Sequence, residues 1–597
     1  MPQPETNKKF YVGVCMAGAV SAGAYTAGVM DYLIEALEEW RKQKEAGNPN
    51  TPSHEVEIPV IGGASAGGMT GIITAAALNH SITPVKPPKT ANAKEEHPEN
   101  KFYHSWVDLL GEDMFSMMLD TADMEDEQII SLLNSSFIDT VASRVVQTDA
   151  AGWKPAPPYI SKDLKVFATL TNLEGFGYNI AMKGTGKSPA KYYMSIHNDY
   201  ACFKLNADGE MQHSEEDGWI PLDFKTGENT DVAKNAAMAT GAFPVGLKSR
   251  ELKREAAEVN KLPFCRDVTD HFPVKGPYCT TLNVDGGVIN NEPFERVREV
   301  LNNVAADDEK EDENGNKAYN NENKFGSTVL LIDPFPSHEP GAFKGSQKLF
   351  DVVGLTFGAM LEQMRAKPAK LADAMNDNCV GQFLIAPSRR LPKLDGTEKD
   401  AAGDEAIACG AMGGFSGFLN KEFRIHDYFL GRFNCELFLR DYFTVSEKAL
   451  NENEIFRQGY AGINKEVFAS KRKEGHYQII PIFTPHPPDR ELPMPVFSSG
   501  SNWPLMEEKN VDAFEPAVRK RAQSLLMNSV KLKGIEKFLV WVGAKVVLNG
   551  LLTKKVMEAI KKSLQAQELL RGAPGEGKVS EGEVRLVRKE QVAEKET

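Results

Sequence analysis

Val56-Glu57-Ile58-Pro59-Val60-Ile61-Gly62-Gly63-Ala64-Ser65-Ala66-Gly67-Gly68 is the stretch on which the reading of this chain turns. Val56, Ile58, Val60 and Ile61 supply a short apolar strand, and Met69, Ile72, Ile73 and Leu78 follow at the spacing of one helical face. Between them Gly63-Ala64-Ser65-Ala66-Gly67 matches G-x-S-x-G, in which a serine sits on a tight strand-to-helix turn and the flanking glycines permit backbone that side chains would block. The same five residues also suit a plain helix start with Ser65 as N-cap. The strand before and the helix after are the context that the nucleophile motif requires.

Upstream, Phe10-Tyr11-Val12-Gly13-Val14-Cys15 repeats the pattern: a buried strand, a small-residue turn, then a helical face through Tyr32, Leu33, Leu37 and Trp40. Strand, helix, strand, helix predicts an α/β fold with a central, mostly parallel sheet covered by helices on both faces. Downstream, strands are predicted at Lys165 to Thr171, Thr281 to Val284, Thr328 to Ile332 and Gln382 to Ile385, extending one layer over 8–390. The stretch 306–324 is crowded with Asp, Glu and Asn and reads as a solvated insertion loop. From about Ala406 the sequence turns aromatic and Gly-rich, which predicts a mostly helical C-terminal extension over 391–570, and 571–597 has the composition of a disordered tail.

The 597 residues are 41% apolar and 25% charged, ordinary globular composition. A formal charge of -14 argues against nucleic acid as a partner, because such binding rests on clustered Lys and Arg. The seven cysteines are scattered and contain no C-x-x-C pair, so neither a zinc site nor a redox pair is expected, and a reduced, cytoplasmic setting is. The polar start lacks a signal core, and the apolar run Phe538 to Ala544 is far short of the ~20 residues of a spanning helix.

If Ser65 is a nucleophile, it needs oxyanion donors and a base. The free amides at the start of the helix after Ser65 are one donor set. The best candidate for a second is the loop Gly18-Ala19-Val20-Ser21-Ala22-Gly23, which lies between the first strand and the first helix, at the same sheet edge. Two bases stay open. His426, beside Asp427, follows Ser65 in the chain as the histidine of an α/β-hydrolase triad does. Asp285, in Asn283-Val284-Asp285-Gly286-Gly287, stands where an apolar strand ends and two glycines let the chain turn close to other backbone. A carboxylate with an ordinary pKa of about 3.9 would have to work at short range in a desolvated site.

The loop after the first strand, the single G-x-S-x-G and the later D-G-G together resemble the patatin-like phospholipases. Ala239-Thr240-Gly241-Ala242-Phe243-Pro244 is similar to that family's Ala-Ser-x-Ala-x-Pro block, with Thr240 where the serine usually stands. The resemblance covers roughly residues 10–295. It implies a Ser65–Asp285 dyad without histidine, cofactor or metal, an oxyanion hole from the amides of Ala19 and Val20, and supporting roles for Gly18, Gly23, Gly63, Gly67, Gly286 and Gly287. The implied function is lipid acyl hydrolysis, of phospholipase A or lysophospholipase type. A carboxylesterase or thioesterase on soluble esters and a catalytically silent lipid-binding scaffold are the rivals. The chain departs from the family's G-G-G-x-[RK]-G, with Ala19 and Val20 replacing glycines and Ala22 replacing the basic residue. Any geometry needing φ > 0 there is costly.

Three other features carry readings of their own. Gly184-Thr185-Gly186-Lys187-Ser188 lacks the first glycine of a phosphate loop and runs into Pro189, so nucleotide binding is rejected. Met114, Phe115, Met117, Met118 and Leu119 suit a core stripe, or a flexible acyl pocket. Lys531 to Lys562 alternates lysines with large apolar residues, as a docked helix or a peripheral membrane contact would.

Overall fold

The computed structural model describes residues 8–571 outside 88–99, 109–110, 112–113, 125–128, 148–150, 182–190, 211–217, 266–272, 314–316, 337–347, 349–351, 353–354, 357–358, 360–379, 393–397, 484–491 and 530–552. The phosphate-loop look-alike, the tail beyond 571 and most of Lys531 to Lys562 therefore lie outside the described residues.

A nine-stranded mixed sheet forms the central layer. Its strands are β1 Lys9–Met16, β2 Glu55–Gly63, β3 Ile160–Ala181, β4 Lys191–Leu205, β5 Ile220–Leu222, β6 Arg250–Glu255, β7 Tyr278–Asp285, β8 Ser327–Ile332 and β9 Gln382–Ile385. The path runs β5-β4-β3-β2-β1-β8-β9, and the five strands from β3 to β9 are mutually parallel. All six predicted strands are present. The central ones are buried on both faces, which is why β1 and β8 read as near-continuous apolar runs.

One detail of register positions the site. Leu170 on β3 pairs with Asp199 on β4 and with Asp285 on β7, so β7 must lie on the β3 edge opposite β4. That edge belongs to β2 until Gly63 pairs with Ala168. β7 thus takes over where β2 stops, and Asp285 arrives two residues beyond the end of the strand that delivers Ser65, about 7 Å along the edge.

The helices used below are α1 Gly23–Glu45, α2 Ala66–Leu78, α3 Met114–Leu119, α4 Ser136–Val145, α5 Thr230–Thr240, α6 Phe294–Val304, α7 Lys421–Asp441, α8 Glu515–Ser529 and α9 Thr553–Ala566. α1 and α2 follow β1 and β2 as the sequence implies. α7 packs closely on α1 because both helices place glycine at the crossing: a Cβ on Gly28 would meet the Tyr428 carbonyl, and one on Gly431 the Tyr25 carbonyl. Arg432 then pairs with Asp31 and Glu35 of α1. One continuous apolar core joins β1, α1 and α2 to α7, α9 and the loops between. Within the acidic stretch, Ala306–Glu309 forms a 3-10 turn whose buried Asp308 accepts from the Gly326 amide (2.8 Å) and the Ser327 hydroxyl. That stretch is held at this point rather than wholly solvated. No helix among the described residues is long and apolar enough to cross a membrane.

Candidate functional site

Ser65 follows β2 after one intervening residue, Ala64, and stands directly before α2 with φ 51 and ψ -126. L-residues rarely adopt positive φ, so the surroundings must hold the turn. Two contacts require its glycines. A Cβ on Gly63 would press on the backbone of Gly67, and one on Gly67 would strike the carbonyl oxygens of Met16 and Ala17 at the end of β1. The Ser65 amide, meanwhile, donates to Thr240 Oγ1 at 2.9 Å.

The Ser65 hydroxyl donates to Asp285 Oδ2 at 2.6 Å, across 220 residues of sequence. Both residues are buried, 6% and 5% exposed, so water competes little for the contact. Asp285 is itself fixed on several sides. Its Oδ1 accepts from the Gly287 amide (2.7 Å), its amide donates to the Ala242 carbonyl (2.9 Å), and Thr171 Oγ1 donates to its carbonyl (2.8 Å). Gly286 lies against the Thr169 carbonyl, where a side chain would not fit.

The loop after β1 reaches the same place. A Cβ on Gly18 would lie 2.9 Å from Ser65 Cβ. Val20 lines the cavity with Ser65 and Asp285 and takes φ 49, a left-handed geometry that favours glycine. The amides of Ala19, Val20, Ala66 and Gly67 find no acceptor among the described residues. Gly23 opens α1 with its Cα against the Trp106 ring. From the far end of the chain, Gly414 packs on Val20, the Ser21 hydroxyl donates to the Gly414 carbonyl, and the Gly417 amide donates to Ser21 Oγ at 3.1 Å. Met412, itself at φ 57, donates its amide to Ser563 Oγ of α9 at 2.8 Å.

Ser65 and Asp285 border a cavity that opens to solvent. Its wall is apolar: Met69, Ile72 and Ile73 of α2, Val141 and Val145 of α4, Ala237 and Met238 of α5, with Met114 and Met118 of α3. Within the methionine run, Met114 and Met118 are buried and line the cavity, while Phe115 packs on Phe514.

His426 is elsewhere. Its Nδ1 is 2.8 Å from Asp427 Oδ1, its ring packs on Trp503 and Phe497, and burial holds its pKa below the usual histidine value. Asp427 caps the amides of Ala408 and Cys409. This pair is absent from the cavity lining, which removes the geometric case for a Ser65–His426 relay. Sequence reasoning missed two contributors. Thr240 entered only through a motif comparison, with no role, and Ser21 with its partners Gly414 and Gly417 gave no local signal.

The site is thus a buried serine–aspartate pair at the edge of an α/β sheet, beside unpaired amides and an apolar cavity. No family model matches the chain. It is similar to an uncharacterized protein, y4iI, of Sinorhizobium fredii (strain NBRC 101917 / NGR234), with 28% identity over 595 residues, 90% of this chain and 80% of that protein. The similarity spans most of both chains.

Proposed function

We propose that this chain is a serine hydrolase that cleaves carboxylic ester bonds of lipids, with Ser65 as nucleophile and Asp285 as its base. The observation that carries the reading is the 2.6 Å hydrogen bond from Ser65 Oγ to Asp285 Oδ2 on the wall of an apolar cavity. A hydroxyl already donating to a carboxylate can pass its proton there as Oγ attacks the ester carbonyl. The tetrahedral oxyanion would be met by the amides of Ala19 and Val20, supplemented by the first amides of α2. Collapse expels the alcohol, which takes the proton from Asp285, and leaves an acyl-Ser65. Water, activated by the same carboxylate, then releases the fatty acid. The apolar lining of the cavity favours a substrate with an acyl chain over a small soluble ester.

The test is turnover on a panel of phospholipids, lysolipids and short esters. Ser65→Ala and Asp285→Asn are each expected to lower it by about 1000-fold or more, equivalent to about 4 kcal/mol of transition-state stabilisation. His426→Ala is expected to retain it. Full activity in a folded Asp285→Asn protein would overturn the dyad, and activity confined to the short esters would favour a soluble-ester hydrolase.

A further inference from the structure

We infer that the rim of the cavity is a docking surface for an uncharged or zwitterionic lipid interface, formed by the loop after α3 and the loop after α5. This deepens the hydrolase reading and rests on it for its purpose. Six large apolar side chains are exposed on these two loops and the helix before the first of them: Met117 on α3, then Ile129, Ile130, Leu132, Phe243 and Val245, the last at 72%. Single exposed apolar residues are ordinary, whereas a continuous group of them marks a contact surface.

The two loops form one piece. Leu132 donates its amide to the Val245 carbonyl at 2.9 Å, Leu133 to the Gly246 carbonyl at 3.0 Å, and Lys248 to Ser135 Oγ at 3.2 Å. Asn134 ties the first loop back to the Met118 carbonyl at 2.8 Å. A buried arginine fastens it from behind: Arg521 of α8 donates to the carbonyls of Leu132 (2.9 Å), Ser131 (3.0 Å) and Asp120, and pairs with Asp123. Val245 holds φ 64, a conformation unfavourable for a β-branched residue, with its side chain in the open. The fold thus spends a buried cation and a strained turn on keeping apolar side chains outside.

Continuity with the cavity selects the occupant. Phe243 is exposed and also lines the cavity, and Met117 is followed by Met118 on the inner wall. An acyl chain leaving a lipid surface seated on this rim would reach Ser65 along apolar side chains. A second copy of the chain seated there would instead close the mouth. Charge narrows the choice of surface. Among the described residues the two loops carry only Asp120, Asp123 and Lys248 as charged groups, and Asp123 is matched by Arg521, so the rim holds no excess of cations. Anionic lipid gains nothing from such a rim.

The experiment is co-sedimentation of the full chain with phosphatidylcholine vesicles, alone and with added phosphatidylglycerol, comparing wild type with Val245→Asn/Ile130→Asn. Asparagine is at ease at positive φ, so the substitution at 245 relieves strain while removing the apolar group. We expect binding to phosphatidylcholine that falls about tenfold in the variant, no gain from phosphatidylglycerol, and unchanged kcat/KM on a dissolved short-chain ester. Equal vesicle binding by variant and wild type, no binding by wild type, or a dimer that only the variant loses would each overturn the surface. Binding is read without turnover. A protein that docks through this rim yet hydrolyses nothing would therefore leave the surface standing and remove the hydrolase reading.

Discussion

Ser65 and Val20 stand close together at nearly the same φ, 51 and 49, and the chain sustains the two turns by opposite means. At Ser65 the turn is made by glycine: Gly63 and Gly67 let backbone pass where any side chain would collide. At Val20 no glycine stands at the strained position, and the loop is held from outside through Ser21, Gly414 and Gly417. The first solution is local in sequence, and the second spans almost 400 residues. The difference teaches that the C-terminal half belongs to the site's support, because it braces a conformation that its own loop does not favour.

The sharpest way to break this comparison is Gly67→Ala. Its Cβ would meet two carbonyl oxygens with no flexible side chain to yield, so we expect a loss of about 4 kcal/mol in a urea melt, or no folded protein. Ser21→Ala attacks the other support. Loss of the bonds to Gly414 and Gly417 should lower kcat by about tenfold, about 1.4 kcal/mol, with KM nearly unchanged and the fold intact.

Acid should loosen another contact between the N-terminal layer and the C-terminal half. His54 lies between Trp40 of α1 and the C-terminal Phe456 and Tyr460, with its Nε2 2.8 Å from the Ile479 carbonyl. Burial pushes its pKa down to about 3, whereas in the unfolded chain it is about 6.5. The unfolded state therefore takes up the proton first. This contribution is fully present above the unfolded value and is lost as pH falls toward 3, about 1 kcal/mol of it between pH 6.5 and 5.5. Urea midpoints for wild type and His54→Gln should converge over that interval. The smallest effect is expected from Val20→Gly. Removing the left-handed penalty while keeping the amide and the brace should leave turnover within about threefold of wild type.

How much of this could be read from the residues follows the same division. β1, β2, β8 and the turn at Ser65 were legible because a doubly covered parallel strand leaves an unbroken apolar run and a tight turn leaves glycines. Asp285 was legible as a strand end followed by two glycines, but not its place beside β3, which depends on β7 succeeding β2 along a shared edge. β4 was not anticipated, since Lys191 to Ser195 is exposed and carries no burial alternation. The packing of α7 on α1 through Gly28 and Gly431 was equally hidden, because two glycines so far apart in sequence announce nothing about each other. His426 looked chemical beside Asp427, and its aromatic packing shows the bond to be internal to the C-terminal core.

Covalent capture tests the central claim most directly. The full chain, treated with a fluorophosphonate and digested for mass spectrometry, should carry one adduct, on Ser65, in wild type and His426→Ala alike, with labelling strongly slowed in Asp285→Asn. A folded wild-type protein that takes no label, or takes it on another serine, would contradict the assignment of Ser65 as a carboxylate-activated nucleophile.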